Sequence, residues 1–319
     1  MENKTCLYCY EPLENDEWDF HSRCSKKFFG TAEAPELPFE LDQMYELANQ
    51  VVRTSVSVTG VQAKLSLNLE TFKESRKRSR FTLVGLWGRY VLKPPTEQYD
   101  SLPELEDLTM HLAGLFKIRT VPHSLIRLKS GQLSYITKRI DRVDDRKFAM
   151  EDMCQLTERL TEDKYKGSME QVGKVVKKYS ENIGNDLLEF FEVAVYSFLT
   201  GNADMHLKNF SLLRSGDGSI SLTPAYDLVA TKIVLPEDQE EMALTINGKK
   251  RNLRKSDFEM LGKSVGISEK VLGNSFSKFA DGYQGAINFV EKSFLKKSLR
   301  VEYATLLRER VRRLGLRVD

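Results

Sequence analysis

The chain has 319 residues, 41% of them apolar and 29% charged, which is ordinary for a folded protein and enough to bury one large core or two smaller ones. Its 48 basic and 46 acidic residues leave a net charge of +2, which argues against a surface that binds nucleic acid in bulk. The N-terminus leads into a cysteine pair and not an apolar signal segment, and the longest apolar stretch, Leu187 to Leu199, is interrupted by Glu189, Glu192 and Ser197. A cytoplasmic location is expected, and four cysteines in so long a chain do not suggest a disulfide framework.

Taken in chain order, residues 1–30 read as a small unit rich in Cys, aromatic and charged residues, followed by a linker spaced by Pro35 and Pro38. Leu41 to Val52 has helical spacing, with Met44, Leu47, Ala48 and Val51 on one side. Strand patterns with period two follow at Val56–Gly60, Lys64–Leu69, Phe81–Val84 and Arg89–Lys93. The charge run from Lys73 to Arg80 reads as a solvated hairpin tip. Leu102 to Phe116 carries Leu105, Leu108, Leu112 and Leu115 on one helical stripe. Val121–Arg127 and Leu133–Arg139 are strands around a turn at Lys129 to Gly131.

From Met150 onward helical patterns dominate: Glu151–Leu160, Met169–Tyr179, Asp186–Leu199 and most of Asp257–Leu314. A β-like insert from Phe210 to Thr223 turns at Gly216 to Gly218. The expected architecture is α+β and bilobal: residues 1–30 a Cys/His knuckle, 31–145 a strand-rich N-lobe and 146–319 a helical C-lobe. That is the organisation of a protein kinase, whose nucleotide lies between lobes.

Phosphoryl transfer needs a lysine for the nucleotide phosphates, oxygen donors for Mg²⁺ and a carboxylate that receives the proton of the attacking hydroxyl. Protein kinases place that carboxylate five residues before a metal-binding Asn. Asp204 precedes Asn209 by the same interval, between an apolar helix with Gly201 at its end and the strand-like segment after Phe210. Asp227, after the β-like insert, fits the second metal ligand. Lys93 fits the anchoring lysine, and Glu106 on the next helix its partner, with Glu104 the alternative. Each piece alone is commonplace; an Asn-x-Asp segment is often only a capped turn. Their conjunction in chain order carries the argument.

With these residues in place, the chain resembles the HipA-type serine/threonine kinases of bacterial toxin–antitoxin modules. The resemblance runs from about Ser55 to Thr231 and rests on Ser57–Leu65, Leu92–Pro94, Glu151–Gln155, Gly201–Ser211 and Leu222–Leu228. It implies that Asp204 is the catalytic base, with His206 and Lys208 beside the reacting groups. It implies that Asn209 and Asp227 bind Mg²⁺. It assigns ATP to Lys93 and to a phosphate loop at Gly60, Val61, Gln62, Ala63 and Lys64, and it leaves the adenine contacts at Ile136 to Lys138. It implies autophosphorylation of Ser57 or Thr59 as an off-switch, since a phosphate there would repel those of ATP.

The segment before the phosphate loop is short for this family, which resembles the shortened toxin kinase HipT of three-gene systems. The partners so implied are a HipS-like small protein, a HipB-like DNA-binding antitoxin and a protein substrate, an aminoacyl-tRNA synthetase. A kinase-fold antitoxin or scaffold without catalysis and a small-molecule phosphotransferase are the other readings, and a DNA-binding regulator is disfavoured by the charge balance. Cys6, Cys9, His21 and Cys24 have the spacing of a three-cysteine, one-histidine zinc site, or are free thiols with His21 capping a turn. Cys154 reads as a buried core thiol.

Overall fold

The computed structural model describes residues 4–14, 16–54, 64–71, 78–84, 88–143 and 146–317, with 48–54 as backbone only. The expected phosphate-loop residues Gly60, Val61, Gln62 and Ala63, and the hydroxyls Ser57 and Thr59, lie outside the described residues. The chain divides into two compact units, the first formed by residues 1–107 and 121–142, the second by 108–120 and 143–319.

The first unit is built on an antiparallel five-stranded sheet of β1 (Leu65–Glu70), β2 (Arg80–Leu83), β3 (Tyr90–Lys93), β4 (His123–Arg127) and β5 (Leu133–Lys138), in the order β2-β1-β3-β5-β4. Register pairs Leu92 with Ile136 and Lys93 with Tyr135. Side chains alternate across a sheet, so Tyr90, Leu92, Ile136 and Lys138 share one face, and Lys93 and Tyr135 share the other. On the first face, Tyr90 and Phe81 pack edge-on with centroids 5.1 Å apart. Phe28 and Phe29, from α1 (Ser22–Phe29), complete that aromatic cluster.

The N-terminal segment, expected to stand apart, packs on this sheet. The Leu7 carbonyl accepts from the Leu125 amide (3.3 Å) and from Ser124 Oγ (3.1 Å), which covers the open edge of β4. Arg127 and Asp19 form an ion pair at 2.9 Å. Helix α2 (Leu41–Thr54) follows the linker, and α3 (Leu102–Leu115) begins in this unit, while residues 108–120 group with the second.

The second unit centres on α6 (Ile183–Thr200), whose residues from Phe190 to Thr200 are all buried. An amphipathic surface helix would show an exposed polar stripe; from Phe190 to Thr200 this one shows none. Its neighbours are α5 (Met169–Tyr179), α8 (Lys255–Val265) and α10 (Lys297–Arg313), with α9 (Glu269–Glu291) packed on the last two. Among the described residues no helix is long and apolar enough to cross a membrane.

A three-stranded sheet, β6 (Met150–Asp152), β7 (Ser211–Arg214) and β8 (Ile220–Leu222), confirms the β-like insert and adds a strand that the sequence reading had as helix. The expected helix over Glu151–Leu160 shrinks to α4 (Met153–Leu156). Asp152 caps its start by accepting from the Gln155 amide, and Thr157 Oγ1 bonds back to the Met153 carbonyl. Glu158, at φ +54, ends any continuation.

Candidate functional site

The loop after α6 is set by Gly201, which caps the helix in the left-handed conformation at φ +68. A Cβ there would meet Leu306 Cδ2 at 2.7 Å and Lys232 Cβ at 2.9 Å, so backbone and packing both call for glycine. Thr231, which opens α7 (Thr231–Val234), accepts from the Ala203 amide (2.9 Å) and donates to the Gly201 carbonyl (3.3 Å). The Asp204 amide donates to Asn202 Oδ1 at 3.2 Å, an Asx-type turn. Asn209 Nδ2 then donates to the Asp204 carbonyl at 3.0 Å. The five-residue spacing therefore closes a hydrogen-bonded loop that ties the Asn209 side chain to the main chain of Asp204.

Further side chains complete this loop. Lys208 Nζ forms an ion pair with Asp152 Oδ2 at 2.7 Å, so the Glu151–Gln155 segment, chemically mute in the sequence, both caps α4 and holds the loop lysine. The Tyr226 hydroxyl donates to the Lys208 carbonyl (3.0 Å) and lies 2.5 Å from Ser211 Oγ. Asp227, the next residue, sits at φ +57, a conformation an L-residue adopts at a cost of roughly 1–2 kcal/mol. Strain held at a candidate ligand is the kind of outlier that accompanies function. Burial lowers the pKa of His206, whose ring meets Tyr165 edge-on at 5.2 Å.

Tyr165 was not singled out from the sequence. Its hydroxyl donates to Asp204 Oδ1 at 2.6 Å, and burial together with the Asp204 charge pushes its own pKa up. It lies on a loop with no periodic pattern, so only the contact reveals it. Asp152 and Thr231 were missed for the same reason: capping and bridging roles depend on partners far along the chain.

In the first unit, Lys93 Nζ and Glu106 Oε1 form a buried ion pair at 2.5 Å, with side chains 5% and 0% exposed. Glu106, the first choice of the two candidate glutamates, thus pairs with Lys93. Lys93 also lies over the Tyr135 ring, 5.4 Å from its centroid. Ile136 and Lys138 are not brought together with Lys93. Both point to the opposite face of the sheet, where Ile136 is wholly buried and Lys138 lies over Phe28 and Tyr90. Lys64 is exposed just before β1, and Cys154 is buried.

A strand-rich unit bearing a buried Lys–Glu pair and a helical unit bearing an Asp–Asn loop define a kinase-like fold. Two solved structures share it. The HipA of the Shewanella oneidensis toxin–antitoxin system, solved with HipB and operator DNA, gives a TM-score of 0.68 at 19% identity, over 89% of this chain and 72% of that one. The Helicobacter pylori proinflammatory kinase CtkA gives 0.54 at 15% identity, over 78% and 93%.

Residues 56–287 match the HipA-like C-terminal domain, and the chain belongs to that family. A Sinorhizobium fredii protein named "Putative kinase Y4dM" is 32% identical over 232 residues, 68% of this chain and 55% of that protein. A Haemophilus influenzae protein named "Putative kinase" is 26% identical over 302 residues, 84% of each. The chain thus spans about half the length of the first relative and most of the second.

Proposed function

We propose that this protein is an ATP- and Mg²⁺-dependent serine/threonine protein kinase and the toxin of a HipA-like toxin–antitoxin system. The observation that carries the reading is the buried Lys93–Glu106 pair. Desolvation cancels most of what such a pair gains, and apolar residues of similar size would stabilise the fold at least as well. Its retention is better explained by a lysine that must be held to meet phosphate.

In this reading Asp204 receives the proton of the attacking hydroxyl, the step an Asp of the kinase catalytic loop performs. Asn209 and Asp227 offer an amide oxygen and a carboxylate, hard donors of the kind Mg²⁺ prefers; they would hold the ion, which would offset the negative charge of the nucleotide. Lys208, held by Asp152, would help offset the negative charge that develops in transfer.

The finer readings rest on the sequence resemblance. They are kinship with HipT, a HipS-like and a HipB-like partner, an aminoacyl-tRNA synthetase as substrate, and autophosphorylation at Ser57 or Thr59. The Shewanella HipA complex supports the HipB-like partner by similarity of fold. The test is incubation with labelled ATP and Mg²⁺, wild type against Asp204→Gln. Label on wild type alone is expected, and equal label on both proteins would remove the assigned role of Asp204. Phosphopeptide mapping of the same wild-type sample should find phosphate at Ser57 or Thr59, and an active enzyme bearing none at either refutes the off-switch.

A further inference from the structure

The N-terminal knuckle holds none of the residues assigned to phosphoryl transfer, yet it gathers a chemically complete set of side chains. Cys6 Sγ, Cys9 Sγ, Cys24 Sγ and one ring nitrogen of His21 all lie within 4.8 Å of one another. Cys9 Sγ is 3.3 Å and Cys24 Sγ 3.7 Å from His21 Nδ1. In a tetrahedral zinc site, with Zn–S of about 2.3 Å and Zn–N of about 2.0 Å, sulfur and nitrogen stand about 3.5 Å apart. The observed separations bracket that value.

The imidazole is oriented to ligate through Nδ1. His21 Nε2 lies 2.9 Å from the Pro12 carbonyl, which can only accept, so Nε2 carries the proton. In the neutral ring Nδ1 then turns a lone pair toward the three sulfurs. A backbone carbonyl fixing the tautomer is the usual support of a metal-bound histidine. The backbone is shaped to match. The Tyr10 amide donates to the Cys6 carbonyl at 3.0 Å, closing the turn between the first two cysteines. Tyr10 itself is held at φ +63, where a bulky residue needs a compensating constraint. His21 and Cys24 open α1 three residues apart, on one side of its first turn.

The knuckle also reaches the ion pair of the same unit. Tyr10 donates to Asp107 Oδ2 at 2.8 Å, and His123 Nδ1 meets Asp107 Oδ1 at 2.8 Å. Asp107 is the residue after Glu106, so Tyr10 anchors the turn of α3 that holds Lys93.

We propose that Cys6, Cys9, His21 and Cys24 hold one structural Zn²⁺, and that the metal-locked knuckle braces, through Tyr10 and Asp107, the turn of α3 that presents Glu106 to Lys93. All four positions are filled by protein, which leaves none for substrate. The importance of the brace for activity rests on the kinase reading; the metal and the brace themselves do not.

The test uses the full chain purified from zinc-supplemented medium. About one zinc per chain should survive dialysis, as expected of a closed site, and Cys24→Ser should lose most of it. Cobalt reconstitution of the wild type should give the intense visible bands of a tetrahedral thiolate site, a readout that needs no variant to fold. Zinc near zero together with no such cobalt bands overturns the site. Hydrogen exchange without nucleotide then tests the brace. Removing the metal with a zinc-selective chelator should raise exchange in β4 and at residues 102–107 by at least tenfold. A zinc-bound protein whose exchange there is unchanged on metal removal overturns the brace. Neither readout requires phosphoryl transfer, so a failure of the kinase reading would show separately, as wild-type protein that binds zinc but takes up no label.

Discussion

Glu106→Ala removes one partner of an ion pair whose other member, Lys93, is 4% exposed. The buried ammonium then loses the Glu106 carboxylate, and breaking a buried pair in this way costs about 3–5 kcal/mol. With a urea slope of about 3 kcal/mol/M, the unfolding midpoint should fall by roughly 1–1.7 M. The double replacement Lys93→Met with Glu106→Leu removes both charges at similar volume and should recover most of that loss, because well-packed apolar residues substitute for such a pair at little cost. The assay is urea unfolding of wild type, single and double variants, followed by tryptophan fluorescence, with ATP-dependent labelling run in parallel. Neither variant should label. A single variant within about 1 kcal/mol of wild type, or a double variant as unstable as the single, refutes the view that the pair is a desolvated unit kept for function.

Tyr165→Phe frees Asp204 Oδ1 of a competing hydroxyl. A net hydrogen bond of about 1 kcal/mol sets the expected gain in autophosphorylation rate at roughly fivefold, and an unchanged or lower rate would show that Tyr165 positions Asp204 instead of competing for it. Gly201→Ala forces a Cβ onto Leu306 and Lys232 at φ +68, and should cost roughly 2–4 kcal/mol by urea unfolding. A loss under about 1 kcal/mol would mean that the loop relaxes freely. Burial opposes the charge on Glu241, but the Leu253 amide and the guanidinium groups of Arg310 and Arg313 outweigh it and hold the carboxyl below its usual range. The unfolded chain then binds the extra proton. The contribution is complete above the unfolded value of about 4.3 and is lost as pH falls through the lower folded value. The urea midpoint should therefore drop between about pH 6 and about pH 3.5, and Glu241→Gln should shrink that drop; an equal drop in both would refute the assignment.

Lys93, Glu106, Asp204, Asn209 and Asp227 could be read from the sequence because each sits where a period changes, at the end of a strand, along an apolar helix stripe or just past a helix. The ion pair follows from a strand and the next helix, and the loop closes within five residues. Strand order, face parity and the docking of the knuckle are long-range facts. Ile136 and Lys138 lie in the strand that carries Tyr135, the partner of Lys93, yet alternate side chains point away from it, and only the register shows this. Tyr10 and Asp107 are 97 positions apart, and no local pattern ties an aromatic in a cysteine turn to a helix that far downstream. Asp152 shows the converse failure. A helical pattern over Glu151–Leu160 was read where a cap and a strand divide the segment, since a short apolar run does not distinguish the two.

The burial of α6 from Phe190 to Thr200 bears on when the loop after it becomes competent. A helical segment buried over its last three turns takes most of its stability from the elements that cover it. One of these is α10, which supplies Leu306 against Gly201 and the Arg310 guanidinium over the Phe198 ring. During synthesis, residues 202–209 leave the ribosome well before that cover exists, and the loop cannot take its final shape until α10 folds down upon α6. Whatever this chain does with Asp204, a truncated or nascent copy lacking α10 should not be able to do it.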